Sequence, residues 1–183
     1  MMIRYFIIFS LLFPVIVLVS GKERAHSALT ANWLGQDRQP VTVEIFPHNI
    51  HQETPNKPYR LTSEGLVRVV LKNETDQRVK AVLVDTYYQN RPRLYKDGKL
   101  LPYRGTVTKL IASKDNDPEF VRIGSVVFIE PYSSVDAEDL KLSDWYGPLE
   151  PGSYRLTNRH RLDVDSPWSL ESAELRFEVA TKQ

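Results

Sequence analysis

Apolar and polar residues alternate through most of this chain, and the alternation predicts strands. Val41, Val43 and Ile45 share one side of residues 41–46, and Pro47 ends the run. Residues 47–60 hold three prolines, two histidines and two asparagines, and read as a loop. Residues 66–73 and 79–88 follow as strands joined by a turn at Glu74–Gln77, which predicts a hairpin. Asp97-Gly98 favours the positive φ angles of a second tight turn. Residues 106–111 read as a strand, 114–118 as a polar loop, and 124–129 as an apolar strand.

Residues 134–142 lose phase, because Glu138-Asp139 intervenes between Val135 and Ala137 on one side and Leu140 and Leu142 on the other. A bulged strand accounts for the slip, and a short helix capped by Ser133 or Ser134 is the alternative. Residues 153–160 and 173–179 close the chain. In the last run Leu175, Phe177 and Val179 oppose Glu174, Arg176 and Glu178. Strands between proline- or glycine-marked turns, without a long amphipathic helix, predict an all-β fold. The expected form is an antiparallel two-layer sandwich of seven to nine strands, with Val69, Val82, Phe128 and Phe177 converging in one interior.

The amino terminus has a different pattern. Arg4 is the sole charge before Lys22, residues 5–19 are almost wholly apolar, and Ser20-Gly21 supplies small residues after them. That is the pattern of a secretory signal peptide over residues 1–21, cleaved before Lys22, with a later site at Ala25–Ser27 and a retained anchor as alternatives. Residues 22–40 read as an irregular lead-in and 41–183 as the domain. The expected location is outside the cytoplasm, periplasmic, cell-surface or extracellular, with no membrane span after cleavage.

Composition narrows the chemistry. The chain has no cysteine, which excludes disulfides, thiol catalysis, lipoprotein acylation and cysteine-ligated metals. About 160 residues remain after residue 21, enough for a core that needs no staple. A cysteine-free exported domain fits a bacterial envelope. Basic and acidic residues number 24 and 23, so no nucleic-acid partner is expected.

Several clusters resemble sites without completing one. His48 and His51 lie near Glu44 and Glu53 on a loop without zinc-ligand spacing. Asp115-Asn116-Asp117 opens like a calcium loop but lacks the later glycine and glutamate. Asp136, Glu138 and Asp139, and Asp163 with Asp165, read as loop carboxylates. His160 and Asp163 have no nucleophile elbow to join. No metal, cofactor or catalytic residue is therefore expected. Trp145, Tyr146 and Trp168 stand near predicted loops. They read either as a platform for a glycan or peptide, or as rings closing the core; Tyr87, Tyr88 and Tyr103 share the ambiguity. Loops 47–60, 112–119 and 162–172 are the contact candidates.

One segment carries a resemblance. In Gly147–Leu156, Pro151-Gly152 makes a turn and Tyr154 enters a strand with Leu156 on the same side. This resembles the entry to the penultimate strand of immunoglobulin-like and fibronectin-III-like sandwiches, mainly over residues 124–179. The resemblance implies a tyrosine corner at Pro151, Gly152 and Tyr154. Exported bacterial Ig-like modules carry a similar Leu-x-Pro-Gly-x-Tyr segment, as do bacterial proteinase inhibitors with an Ig-like fold. The cysteine pair of antibody domains is missing. The implied function is a non-catalytic, envelope-associated module binding a protein or a glycan, with proteinase inhibition as the alternative. An exposed strand edge is a further route to a partner.

Overall fold

A computed structural model describes residues 40–48, 58–116 and 124–180. The signal expected over residues 1–21, the lead-in expected over 22–40 except residue 40, most of loop 47–60, and residues 117–119 of loop 112–119 lie outside the described residues. The strands are β1 (Val41–Pro47), β2 (Tyr59–Leu61), β3 (Leu66–Asn73), β4 (Val79–Leu83), β5 (Arg93–Lys96), β6 (Lys99–Leu100), β7 (Ser125–Ile129), β8 (Ser134–Lys141), β9 (Gly152–Thr157) and β10 (Leu175–Val179). Among the described residues three helices interrupt them: α1 (Thr86–Gln89), α2 (Gly105–Asn116) and α3 (Leu142–Tyr146). The fold is mostly β with antiparallel sheets.

The strands form three sheets, ordered β1-β3-β8, β2-β10-β9-β5-β6 and β4-β7. All the pairs are antiparallel except β2 with β10. One hydrophobic cluster draws on each sheet: Val43, Val69 and Leu140 from the first, Leu94, Leu156 and Phe177 from the second, Ala81 and Ile129 from the third. Burying each such large aliphatic or aromatic side chain contributes about 1.5–3 kcal/mol.

The alternating runs behave as the pattern predicts where one face is clearly apolar. β1 buries Val41, Val43 and Ile45, and β10 buries Leu175, Phe177 and Val179. Asp97 (φ 51°) and Gly98 (φ 80°) make the turn between β5 and β6. The phase slip in β8 is a bulge: Val69 faces Glu138 while Val70 faces Asp136, leaving Ala137 unopposed. A short helix does follow, but as α3, beginning at Leu142 where β8 ends.

Four expectations are corrected. Residues 79–88 are not one strand. β4 stops at Leu83, and Asp85 then caps α1, its carboxylate accepting from Tyr87 N and Tyr88 N at 3.0 Å each. β3 and β4 do not form a hairpin, because β3 is flanked by β1 and β8 while β4 pairs with β7. Residues 106–111 are helical. Val107 and Ile111, four residues apart, pack inward as one helical face, while the β-branched Thr106 and Thr108 stay exposed. Lys114 on the same helix reaches the Asp85 carboxylate at 2.9 Å.

The fourth correction concerns the interior. Val69 and Phe177 lie in it, but Phe128 is 50 % exposed and Val82 stays outside the cluster. β4 turns Val79, Ala81 and Leu83 inward, and β7 turns Val127 and Ile129 inward. With every residue of 126–129 apolar, alternation could not say which pair would face the core.

Candidate functional site

The aromatic trio divides between two places. Trp145, in α3, is 1 % exposed, with its ring 4.8 Å from that of Tyr87 and 5.5 Å from that of Tyr103. Tyr146 packs against the same core; its hydroxyl donates to Pro92 O at 2.6 Å and accepts from Leu94 N at 3.2 Å. Burial raises the Tyr146 phenol far above its ordinary pKa, so it stays a neutral donor. Tyr103 Oη donates to the same carbonyl at 2.7 Å. Trp145 and Tyr146 therefore close the interior, the second of the two readings open from the sequence, and the three rings do not share one platform. Trp168 is half-buried elsewhere, with the guanidiniums of Arg161 and Arg91 at 4.1 and 4.6 Å from its ring.

At Pro151–Tyr154 the chain turns through Gly152 (φ 149°), where an added Cβ would meet Lys96 Cε at 3.0 Å. Tyr154 Oη then donates back to Glu150 O at 2.7 Å, and its ring stacks on Phe177 at 5.2 Å. The buried phenol thus finds its partner in the preceding connection.

The acidic clusters are engaged in ion pairs and turns. Asp139 accepts from His48 Nδ1 at 2.9 Å and Arg68 Nε at 3.2 Å, and Asp136 pairs with Arg68 at 2.9 Å. Asp115 accepts two hydrogen bonds from Arg91. Asp163 caps its own turn, its side chain accepting from Val164 N at 2.7 Å. No group of three potential ligands could hold a metal ion among the described residues. His51, Glu53 and Asp117 lie outside them.

A buried polar cluster joins residues that the sequence did not connect. Asn90, Asn158 and His160 are each at most 1 % exposed. Asn90 Oδ1 accepts from Asn158 Nδ2 at 2.7 Å and lies 3.1 Å from His160 Nδ1. Since Oδ1 can only accept, Nδ1 carries the proton and Nε2 holds the lone pair. Asn90 Nδ2 donates to the Glu138 carboxylate and to Thr86 O. Gln89 joins neighbouring segments, donating to Val82 O and Arg161 O and accepting from Val84 N. The cluster ties α1 to the segment after β9 and to the bulged strand.

Burial lowers the His160 pKa to about 4, and burial raises that of Glu138. An unfolded histidine titrates near 6.5, so the unfolded chain binds more protons between about 6.5 and 4. The stability His160 supplies is complete above 6.5 and drains away as pH falls towards 4. Between pH 7 and 4.5 the wild type should lose about 2–3 kcal/mol more than His160→Gln, read from denaturation midpoints. Glu138 has the opposite sign, since its contribution fades as pH rises through its elevated pKa. Glu138→Gln should therefore steepen the acid loss.

No family model, curated protein or solved structure matches this chain. Its surface chemistry therefore carries the functional reading. Val126 (52 %) and Phe128 (50 %) form an exposed apolar row on one face of β7. They stand opposite Val82 and Lys80 of β4, and the Arg78 guanidinium lies 4.1 Å from the Phe128 ring. β4 is secured on its other side, Val82 N donating to Leu162 O at 2.7 Å. Among the described strands, β7 pairs with β4 and no other.

Proposed function

We propose that this chain is an exported, non-catalytic binding module, built as an immunoglobulin-like sandwich, whose β4–β7 ribbon docks a protein partner. The observation that carries the reading is the outward apolar row of β7, Val126 and Phe128, on a strand with one edge unpaired among the described residues. Such an edge offers backbone donors and acceptors to an added strand, and the flanking side chains select what is added. The sandwich reading is supported by the single core shared between the sheets and by the Tyr154 bond to Glu150. The non-catalytic reading is supported by His160, which the Asn90 network holds inside the domain. The apolar run of residues 5–19 supports export.

A photo-crosslinking residue placed at Val126 or Phe128 in the full chain tests this. A discrete protein adduct should form at both positions in the extracytoplasmic fraction, on a product starting at Lys22, and not at exposed Lys99 on β6. Equal labelling at all three positions, or none, rejects the docking face. A product beginning at Met1 in the cytoplasm rejects export.

A further inference from the structure

The outer face of the five-stranded sheet carries a second arrangement, on other strands than the ribbon. The register aligns Tyr95 of β5 with Arg155 of β9, and Arg155 with Arg176 of β10. Like charges directly opposite on paired strands repel. Here Glu174 holds them together, Oε2 accepting from Arg155 Nη1 at 2.9 Å and Oε1 from Arg176 Nε at 2.7 Å. The Arg155 guanidinium also lies 5.0 Å from the centroid of the Tyr95 ring. Ring and carboxylate fix its orientation in advance of any ligand. Each guanidinium has five N–H donors, and Glu174 takes one from each. Both side chains remain substantially exposed, at 42 % and 74 %.

Two residues further along the strands the chemistry inverts. Ser153 faces Glu178, which has Arg60 of β2 on its other side, and Asp97 N donates to Ser153 O. The backbone positions of these acceptors thus lie about 7 Å along the strands from those of the two arginines. Tyr95, Asp97, Ser153, Arg155, Arg176 and Glu178 line one open groove of about 280 Å³. That space holds one or two sugar rings, and its open sides let the rest of a longer chain run past.

We propose that this groove binds an acidic sugar residue, with its carboxylate on Arg155 and Arg176 and its hydroxyls donating to Asp97, Ser153 and Glu178. A neutral sugar leaves the guanidinium donors unmatched. A simple inorganic anion meets the guanidiniums but leaves the acceptor row facing a second negative charge. The carboxylate and the hydroxyls together satisfy both rows, by charge-assisted hydrogen bonds at one end and ordinary ones at the other.

Titration of the full chain with trigalacturonate, maltotriose and sodium sulfate separates these cases. Trigalacturonate should bind at least about tenfold more tightly than either of the others. Arg176→Gln should weaken it by about tenfold or more with an unchanged thermal midpoint, since that side chain is largely exposed. Glu178→Gln should weaken trigalacturonate by about fivefold and leave sulfate unchanged or tighter. The proposal is overturned if trigalacturonate fails to saturate at millimolar concentration, if sulfate or maltotriose binds equally well, or if Arg176→Gln binds like the wild type. None of these outcomes depends on the β7 docking face.

Discussion

Trp145→Ala should lower the free energy of unfolding by about 3–5 kcal/mol, the largest loss expected from any single truncation here. The ring is 1 % exposed and in contact distance of two tyrosine rings, so removing it leaves a cavity with walls on several sides. α3 is only five residues long and has no side-chain cap. A helix that short depends on packing for its existence, and the ring supplies it. Arg104 N donates to Trp145 O at 2.8 Å just before α2 begins, so disorder in α3 should reach α2 as well. Urea denaturation gives the measurement, and Trp145→Phe should recover most of the loss. Trp168→Ala should cost less, because that ring is only half-buried. A loss below about 1 kcal/mol at Trp145 would return it to the surface role that the sequence left open.

The second large effect is expected at Asn90. Asn90→Leu should destabilise the domain by about 3–5 kcal/mol, although leucine is of similar size and more apolar. The side chain accepts from Asn158 and His160 and donates to Glu138 and Thr86 O. Its replacement leaves buried donors without acceptors and a buried carboxyl without one of its donors. Such orphaned groups keep their desolvation cost and lose its compensation. The loss should grow as pH rises, because Glu138 then ionises without the amide that stabilises its charge. Denaturation of Asn90→Leu at pH 5 and pH 8 checks both statements. A pH-independent loss would mean that Asn90 acts through packing and not through the carboxyl.

Much of the architecture could be read along the chain. β1, β9 and β10 each set apolar side chains against polar ones at a period of two, and each buries the face so marked. Asp97-Gly98 named its own turn, since few other dipeptides accept two consecutive positive φ angles. The slip at Glu138-Asp139 located a bulge, because a one-residue insertion is what breaks alternation while a strand continues. Where neighbours in sequence share the information, local chemistry was sufficient.

The candidate sites were far less legible. Asn90 and Asn158 stand 68 residues apart, and nothing near either one signals the other. Arg155 and Arg176 are opposed only because β9 and β10 pair in a particular register. Helix α2 lay hidden behind Thr106 and Thr108, whose strand preference is outweighed by Val107 and Ile111 packing inward and Lys114 reaching Asp85.

By itself the sequence determined a cysteine-free, mostly β domain, the positions of its clearest strands and turns, and an apolar run over residues 5–19. Tertiary structure decided which face of β7 meets water, that Trp145 is interior, and which distant polar groups meet. The division follows from range. Backbone preference and side-chain alternation act over a few residues, whereas burial and strand register are settled by partners far away in the chain.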